Sequence, residues 1–77
     1  MTTIDARGLR CPYPVVRLGQ AAGALPPGSE VRLLSDDSVS LTDVPAWCRM
    51  RGATLVGTRE LSGYWEFTVL TAPEGGR

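Results

Sequence analysis

The sequence contains no lysine and no histidine among its 77 residues, and its formal net charge at pH 7 is zero. Every positive charge is an arginine, and eight acidic residues balance them. Without histidine, the chain lacks the commonest general base and the commonest metal ligand of proteins. A neutral chain also lacks the basic surface that neutralises nucleic-acid phosphates. We therefore expect no metal site, no direct nucleic-acid binding and chemistry based on other side chains.

Cysteine is scarce, with only Cys11 and Cys48. Two cysteines are too few for the disulfide framework of a small secreted domain and, without histidine, too few for a closed zinc site. No apolar run approaches the roughly 20 residues that a membrane span requires. The first residues, MTTIDARG, lack the basic and apolar regions of a secretory signal. These absences predict a cytoplasmic protein with no membrane span and with both thiols reduced, rather than a Cys11–Cys48 bridge.

Proline and glycine divide the chain into short elements. The predicted elements are a strand at 2–6, a helix at 12–25, a strand at 29–35, a helix at 38–51 and strands at 53–61 and 64–71. Pro26-Pro27-Gly28 ends the first helix, and Pro45 makes the first turn of the second helix irregular. The order β-α-β-α-β-β in so short a chain predicts an α+β fold, with one sheet and both helices on one of its faces.

The length indicates one small domain over residues 1–77. We expect residues 2–71 to be ordered and the polar tail 72–77 to be flexible. We also expect a monomer.

Cys11 lies where the first strand has ended and the first helix is about to begin. Pro12 is expected at the first helical position and Pro14 in the same turn, where a missing N–H costs no intrahelical bond. The dipole and free N–H groups of a helix start favour an anion, and Arg10 and Arg7 precede the cysteine. The pattern predicts a thiol with a pKa below the roughly 8.5 of free cysteine. The alternative is that Cys11 is only a weak cap of the helix.

Two common thiol chemistries are excluded by the residues around Cys11. A redox site of the C-x-x-C type needs a second cysteine where Pro14 stands. A cysteine–histidine pair needs a histidine, which the chain lacks. What remains is single-thiol transfer chemistry, in which a thiolate takes a group and passes it on.

The segment IDARGLRCPYPVV, with PPGSEVRLLSDD and DVPAWCRMRG downstream, resembles the TusA/SirA family of sulfur-carrier proteins. The hallmark of the family is Cys-Pro-x-Pro after the lead-in D-x-x-G-x-x-C, which Asp5, Gly8 and Cys11 match. The resemblance covers about residues 4–70. It implies a two-layer α/β sandwich with a four-stranded mixed sheet, and it implies that Cys11 carries sulfane sulfur as a persulfide.

The resemblance also implies protein partners and no cofactor. A sulfur donor such as a cysteine desulfurase or a rhodanese would load Cys11, and an acceptor protein would unload it. Such a carrier takes part in sulfurtransferase reactions without being a stand-alone catalyst. Members of the family that act in tRNA thiolation commonly have Glu where this chain has Tyr13, so the acceptor is left open. Tyr13 and Asp5 are candidate docking residues; the alternative for Tyr13 is a partly exposed filler.

Other polar and aromatic residues have simpler interpretations. Cys48 is predicted to be a buried, small apolar side chain, with a resolving thiol as the alternative. The acidic residues Asp36, Asp37 and Asp43 are predicted to be structural, the first two as helix caps. Arg49 and Arg51 are predicted to form either a surface that binds an acidic partner or a solvated helix end. Trp65 and Phe67 are predicted to lie in the core.

Two alternatives to a sulfur carrier stay open. One is a non-catalytic interaction or regulatory module that uses the Cys11 face, and the other is a thiol switch that responds to oxidants. A ubiquitin-like carrier with a C-terminal thiocarboxylate is rejected. Gly75-Gly76 is followed by Arg77, and the order of the elements differs from a β-grasp.

Overall fold

The computed structural model describes residues 2–73, and the elements occur in the predicted order. They are β1 (Thr2–Asp5), α1 (Tyr13–Gly23), β2 (Glu30–Ser35), α2 (Ser40–Arg51), β3 (Thr54–Leu61) and β4 (Tyr64–Leu70).

The strands form one mixed sheet in the spatial order β1-β2-β4-β3. β1 pairs in parallel with β2, whereas β4 is antiparallel to both of its neighbours. A parallel pair needs a crossover connection, and α1 supplies it between β1 and β2. Buried side chains of both helices pack into one core with a single face of the sheet. The predicted two-layer α+β sandwich is therefore confirmed.

Alternation along β2 decides which face of the sheet is buried. Val31, Leu33 and Ser35 are buried, and the residues between them are partly exposed. On β4, Phe67 lies opposite Leu33 and is fully buried, as predicted. Trp65, on the same strand, is partly buried against this core. The helices contribute Leu18, Val44, Trp47 and Cys48. Each such apolar side chain stabilises the fold by roughly 1.5–3 kcal/mol.

The first helix is shorter than predicted at both ends. It begins at Tyr13 with Pro12 as its N-cap, so Pro12 lies one position before the expected one. The reason is a separate turn closed by the N–H of Tyr13, which donates to the carbonyl of Arg10 at 2.8 Å. The helix ends at Gly23, ahead of Pro26. The N–H groups of the next two residues donate to carbonyls three residues earlier, where a helix would use the carbonyl four residues earlier.

The second helix begins at Ser40 rather than at residue 38. The N–H groups of Ser40 and Leu41 donate to carbonyls three residues earlier, on Asp37 and Ser38. Such bonds define a tight turn of 3₁₀ type just ahead of the helix, whereas Pro45, expected to disturb the first turn, lies inside the continuous helix. Gly52 ends the helix with φ of 72°, in the left-handed region that glycine adopts without strain.

The chain after β4 is attached to the loop before β2. Thr71 donates its N–H to the carbonyl of Ser29 at 2.8 Å and its hydroxyl to the carbonyl of Pro26 at 3.0 Å. Ala72, assigned to the tail from the sequence, is buried. The rest of the predicted tail, residues 74–77, lies outside the described residues. Within residues 2–73, no helix is long and apolar enough to cross a membrane.

Candidate functional site

The candidate site lies at the edge of the sheet where the parallel strands β1 and β2 end. Each of these strands is followed by a helix, so the N-termini of α1 and α2 come together at this edge. Cys11 lies in the loop between β1 and α1 and is exposed to solvent. The topology thus places the thiol beside the loop that follows β2.

Two carboxylates at the end of β2 hold the Cys11 loop. Asp36 Oδ1 accepts the N–H of Gly8 at 3.0 Å, and Asp37 Oδ2 accepts the N–H of Cys11 at 2.8 Å. Gly8 has φ of 86°, so the loop turns through a conformation that favours glycine. The N–H of Gly8 lowers the pKa of Asp36, and the N–H groups of Cys11 and Val39 lower the pKa of Asp37. Both side chains therefore act as ionised acceptors that fix the loop to the sheet.

The carboxylate of Asp37 also accepts a hydrogen bond in the turn just ahead of α2, whereas that of Asp36 does not. Oδ1 of Asp37 accepts the N–H of Val39 at 3.1 Å, just ahead of α2. Oδ1 of Asp36 is occupied by Gly8 and Arg10 instead. The expectation that both residues cap the second helix is wrong, because its N-cap is Val39 with no side-chain capping bond, and the carboxylate of Asp36 is taken by the Cys11 loop.

The thiol of Cys11 donates a hydrogen bond to Asp43. The distance from Sγ to Oδ2 is 3.0 Å, and Asp43 lies in the first turn of α2. This bond raises the pKa of the Cys11 thiol, and partial desolvation and the charges of Asp43 and Asp37 raise it further. The expected lowered pKa and ready ionisation are therefore wrong. The helix dipole of α1 is outweighed by a carboxylate in direct contact with the sulfur.

The arginines expected to assist ionisation of Cys11 bind carboxylates. Arg10 Nη1 lies 3.1 Å from Asp36 Oδ1. Arg7 Nη2 lies 2.8 Å from Asp5 Oδ2, and the Arg7 guanidinium stacks on the ring of Tyr64 at 4.7 Å. Arg7 lowers the pKa of Asp5 to about 2, mainly through their side-chain hydrogen bond. Neither guanidinium counteracts the charge of Asp43 on the sulfur.

The two prolines place the cysteine at the head of α1. Pro12 follows Cys11 through a cis peptide bond, and its carbonyl accepts the N–H of Val16 at 3.1 Å. Pro14 occupies the first helical turn and is buried. Since the N–H groups of this turn have no intrahelical partner, neither proline removes a helical hydrogen bond.

Tyr13 and Cys48 have opposite exposure. The side chain of Tyr13 between the prolines is 60% exposed. Cys48 is buried in the core and is a free thiol, as predicted for a small apolar side chain. Burial raises the pKa of the Cys48 thiol. No disulfide joins Cys48 to Cys11, which is also free.

Sequence reasoning missed Asp43 as a member of the site. From the sequence, Asp43 ahead of Val44-Pro45 is predicted to be structural. The contact with Cys11 spans 32 positions of the chain. One available indication was the β-α-β-α order: if the first two strands are parallel, the loops that follow them meet at one edge. In the described part of the chain, no three acidic or sulfur-bearing side chains are grouped as metal ligands.

Known proteins resemble this chain in sequence and in fold. A sequence model of the family described as "Sulfurtransferase TusA" matches residues 2–71. The chain is 38% identical over 66 residues to "Sulfur carrier protein TusA" of Pseudomonas fluorescens, which covers 82% of this chain and 80% of that protein. A protein of the same name from Pseudomonas entomophila is 35% identical over 66 residues, or 82% of each chain. The crystal structure of a SirA-like protein from Desulfitobacterium hafniense superposes with a TM-score of 0.84 at 31% identity, covering 94% of this chain and 99% of that one.

Proposed function

The chain belongs to the TusA family, and on that premise we propose that it is a sulfur carrier in a relay between proteins of the cytoplasm. In this proposal Cys11 receives a sulfane sulfur as a persulfide and passes it to an acceptor protein. The observation that carries the proposal is the difference between the two thiols. Cys11 is exposed at the head of α1, and Cys48 is buried in the core. Only Cys11 therefore offers a sulfur atom that the active-site thiol of another protein can reach.

Loading of Cys11 is a thiol exchange that needs no oxidant or reductant. Sγ of Cys11 attacks the terminal sulfur of a persulfide on the donor protein, so a new S–S bond forms while the S–S bond of the donor breaks. The donor cysteine leaves as a thiolate and takes up the proton that Cys11 has lost. Unloading repeats the exchange, with a thiol of the acceptor as the attacking group. A cysteine desulfurase or a rhodanese is the class of donor that supplies such a persulfide.

The exposed apolar side chains of the two helices support docking of a protein partner. Tyr13 is 60% exposed, Val16 is 44% exposed one turn along α1, and Met50 of α2 is 75% exposed. Val16 and Met50 line the same groove between the helices. Apolar and aromatic side chains are enriched where partners bury each other's surface. We propose that Tyr13 contacts the partner during transfer. Asp5, which is held by Arg7, would lie at the margin of that contact.

Mass spectrometry of the intact protein tests the carrier function. The protein is incubated with a cysteine desulfurase and cysteine, or with a rhodanese and thiosulfate. We expect a gain of the mass of one sulfur atom, which is lost on treatment with a reducing thiol. The gain should be absent from Cys11→Ser and present in Cys48→Ser. No gain with either donor, while Cys11→Ser still binds the partners of the wild-type protein, would contradict a carrier and support an interaction module.

A further inference from the structure

Three carboxylates bind the Cys11 loop or its thiol, and they differ in the groups that compensate their charge. Asp36 is paired with Arg10, and Asp37 accepts the N–H groups of Cys11 and Val39. Asp43 accepts the thiol proton at 3.0 Å and has no arginine partner among residues 2–73. The sulfur of Cys11 therefore lies directly against a carboxylate that, like Asp37, has no arginine within salt-bridge distance among the described residues.

We propose that Asp43 sets the protonation state of Cys11, because it holds the empty sulfur as a thiol and opposes a negative charge on that sulfur. A carboxylate can accept a hydrogen bond from a thiol but repels a thiolate. The charged groups that face the sulfur are Asp43 from α2 and Asp37 from the loop before it, and Arg10 is engaged by Asp36. The raised pKa of Cys11 agrees in direction with this arrangement.

Asp43 then has different effects on the empty and the loaded carrier, an inference that rests on the proposed function. A persulfide is more acidic than a thiol, so the loaded group carries a negative charge close to Asp43. Unloading converts Cys11–S–S⁻ and an acceptor thiol into the Cys11 thiol and an acceptor persulfide anion. The proton of the acceptor thus ends on Sγ, where Asp43 accepts a hydrogen bond from it. Asp43 therefore favours release of the sulfur over its retention.

The pH dependence of alkylation tests the first part without any sulfur donor. Iodoacetamide reacts with thiolates, so the rate of labelling of Cys11 follows its ionisation. Asp43→Asn keeps the shape of the side chain and removes its charge. We expect the midpoint of the profile to move down by about one pH unit, which is a roughly tenfold faster reaction near pH 7. Glu60→Gln removes one charge from the remote strand β3 and should reproduce the wild-type profile.

An unchanged midpoint in Asp43→Asn, or a midpoint that moves up, would overturn the proposal. Asp43→Glu retains the charge and should keep its midpoint nearer to the wild-type value than Asp43→Asn does. If Asp43→Asn does not fold, the profile of the wild-type protein can still contradict the proposal. Its midpoint must lie above the roughly 8.5 of free cysteine. A lower value would contradict control by Asp43.

The equilibrium of loading tests the second part. Each protein is mixed with glutathione and glutathione persulfide at a fixed ratio, and its loaded fraction is read from the intact mass. We expect Asp43→Asn to retain a several-fold higher ratio of loaded to empty protein than the wild type or Glu60→Gln. Equal ratios would overturn the effect of Asp43 on release. If the wild type takes up no sulfur at all, the carrier function fails, while the alkylation profile still tests Asp43 independently.

Discussion

Cys11 and Cys48 are both free thiols whose pKa is raised, but the physical cause differs. Burial in the core raises the pKa of Cys48, whereas a hydrogen bond to Asp43 raises the pKa of the exposed Cys11. Desolvation can be relieved only by opening the core. A carboxylate at the surface can be neutralised by a cation of a docking partner without any unfolding. Two thiols with the same protonation state therefore differ in whether a partner can change it.

The largest expected effect concerns access to the two thiols. In the native protein at alkaline pH, iodoacetamide should label Cys11 rapidly and leave Cys48 unlabelled. Reaction of Cys48 requires opening of the core, so its rate should be lower by at least about a thousandfold. In denaturant both thiols should react at similar rates. Peptide mass mapping over time measures the two rates, and equal labelling in the native state would contradict the assignment of Cys48 to the core.

Replacing each sulfur by oxygen sharpens the comparison. Cys48→Ser places a hydroxyl in the apolar core, which should lower the free energy of unfolding by about 1–3 kcal/mol. Cys11→Ser changes an exposed side chain and should leave the midpoint of urea unfolding unchanged. Fluorescence of the tryptophans follows both transitions. A wild-type midpoint for Cys48→Ser would indicate that its hydroxyl finds a partner, contrary to the packing of the core.

Asp37→Ala should loosen the loop that holds Cys11 and spare Cys48. The variant removes the acceptor of the Cys11 N–H at 2.8 Å and of the Val39 N–H at 3.1 Å. We expect several-fold faster hydrogen exchange of the Cys11 amide, and slow labelling of Cys48 as in the wild type. Asp37→Asn keeps one acceptor oxygen and should give an intermediate exchange rate. Unaltered exchange in Asp37→Ala would show that the strand-end carboxylate does not hold the loop.

The smallest effect concerns Asp5, a carboxylate of the same edge that is bound to an arginine instead of a thiol. Arg7 lowers the pKa of Asp5 from 3.8 to about 2. Between these values the unfolded chain binds more protons than the folded one, so stability rises with pH. The contribution is complete above pH 3.8 and is lost as pH falls through about 2. NMR titration should show Arg7→Ala returning the pKa towards 3.8, and a pKa that stays near 2 would implicate another group.

The elements of this fold were predictable because their causes are local. Pro26, Pro27 and Gly28 end a helix in any context, and the alternation of Val31 and Leu33 identifies a half-buried strand. The exact helix starts were not predictable. The turn closed by Arg10 and Tyr13 moves the start of α1, and the turn at Asp37 moves the start of α2.

The protonation of Cys11 was not predictable from neighbouring residues. The helix start, Arg10 and Arg7 are all close in sequence, and together they indicated a thiolate. The deciding groups are Asp37 and Asp43, which lie 26 and 32 positions further along the chain. Parallel pairing of β1 and β2 brings their loops to one edge. Only the packed structure shows that a carboxylate oxygen of α2 points at the sulfur.

The bonds from Asp36 and Asp37 to the Cys11 loop have a consequence for protein engineering. The N–H groups of Gly8 and Cys11 are oriented by side chains of the loop that follows the neighbouring strand β2, outside the motif itself. The motif CPYP alone therefore does not determine how the sulfur is held. Transplanted onto the first turn of an unrelated helix, it would bring the cysteine and the prolines but not this arrangement of the sulfur. A functional transplant would need the adjacent strand end and the first turn of the second helix as well.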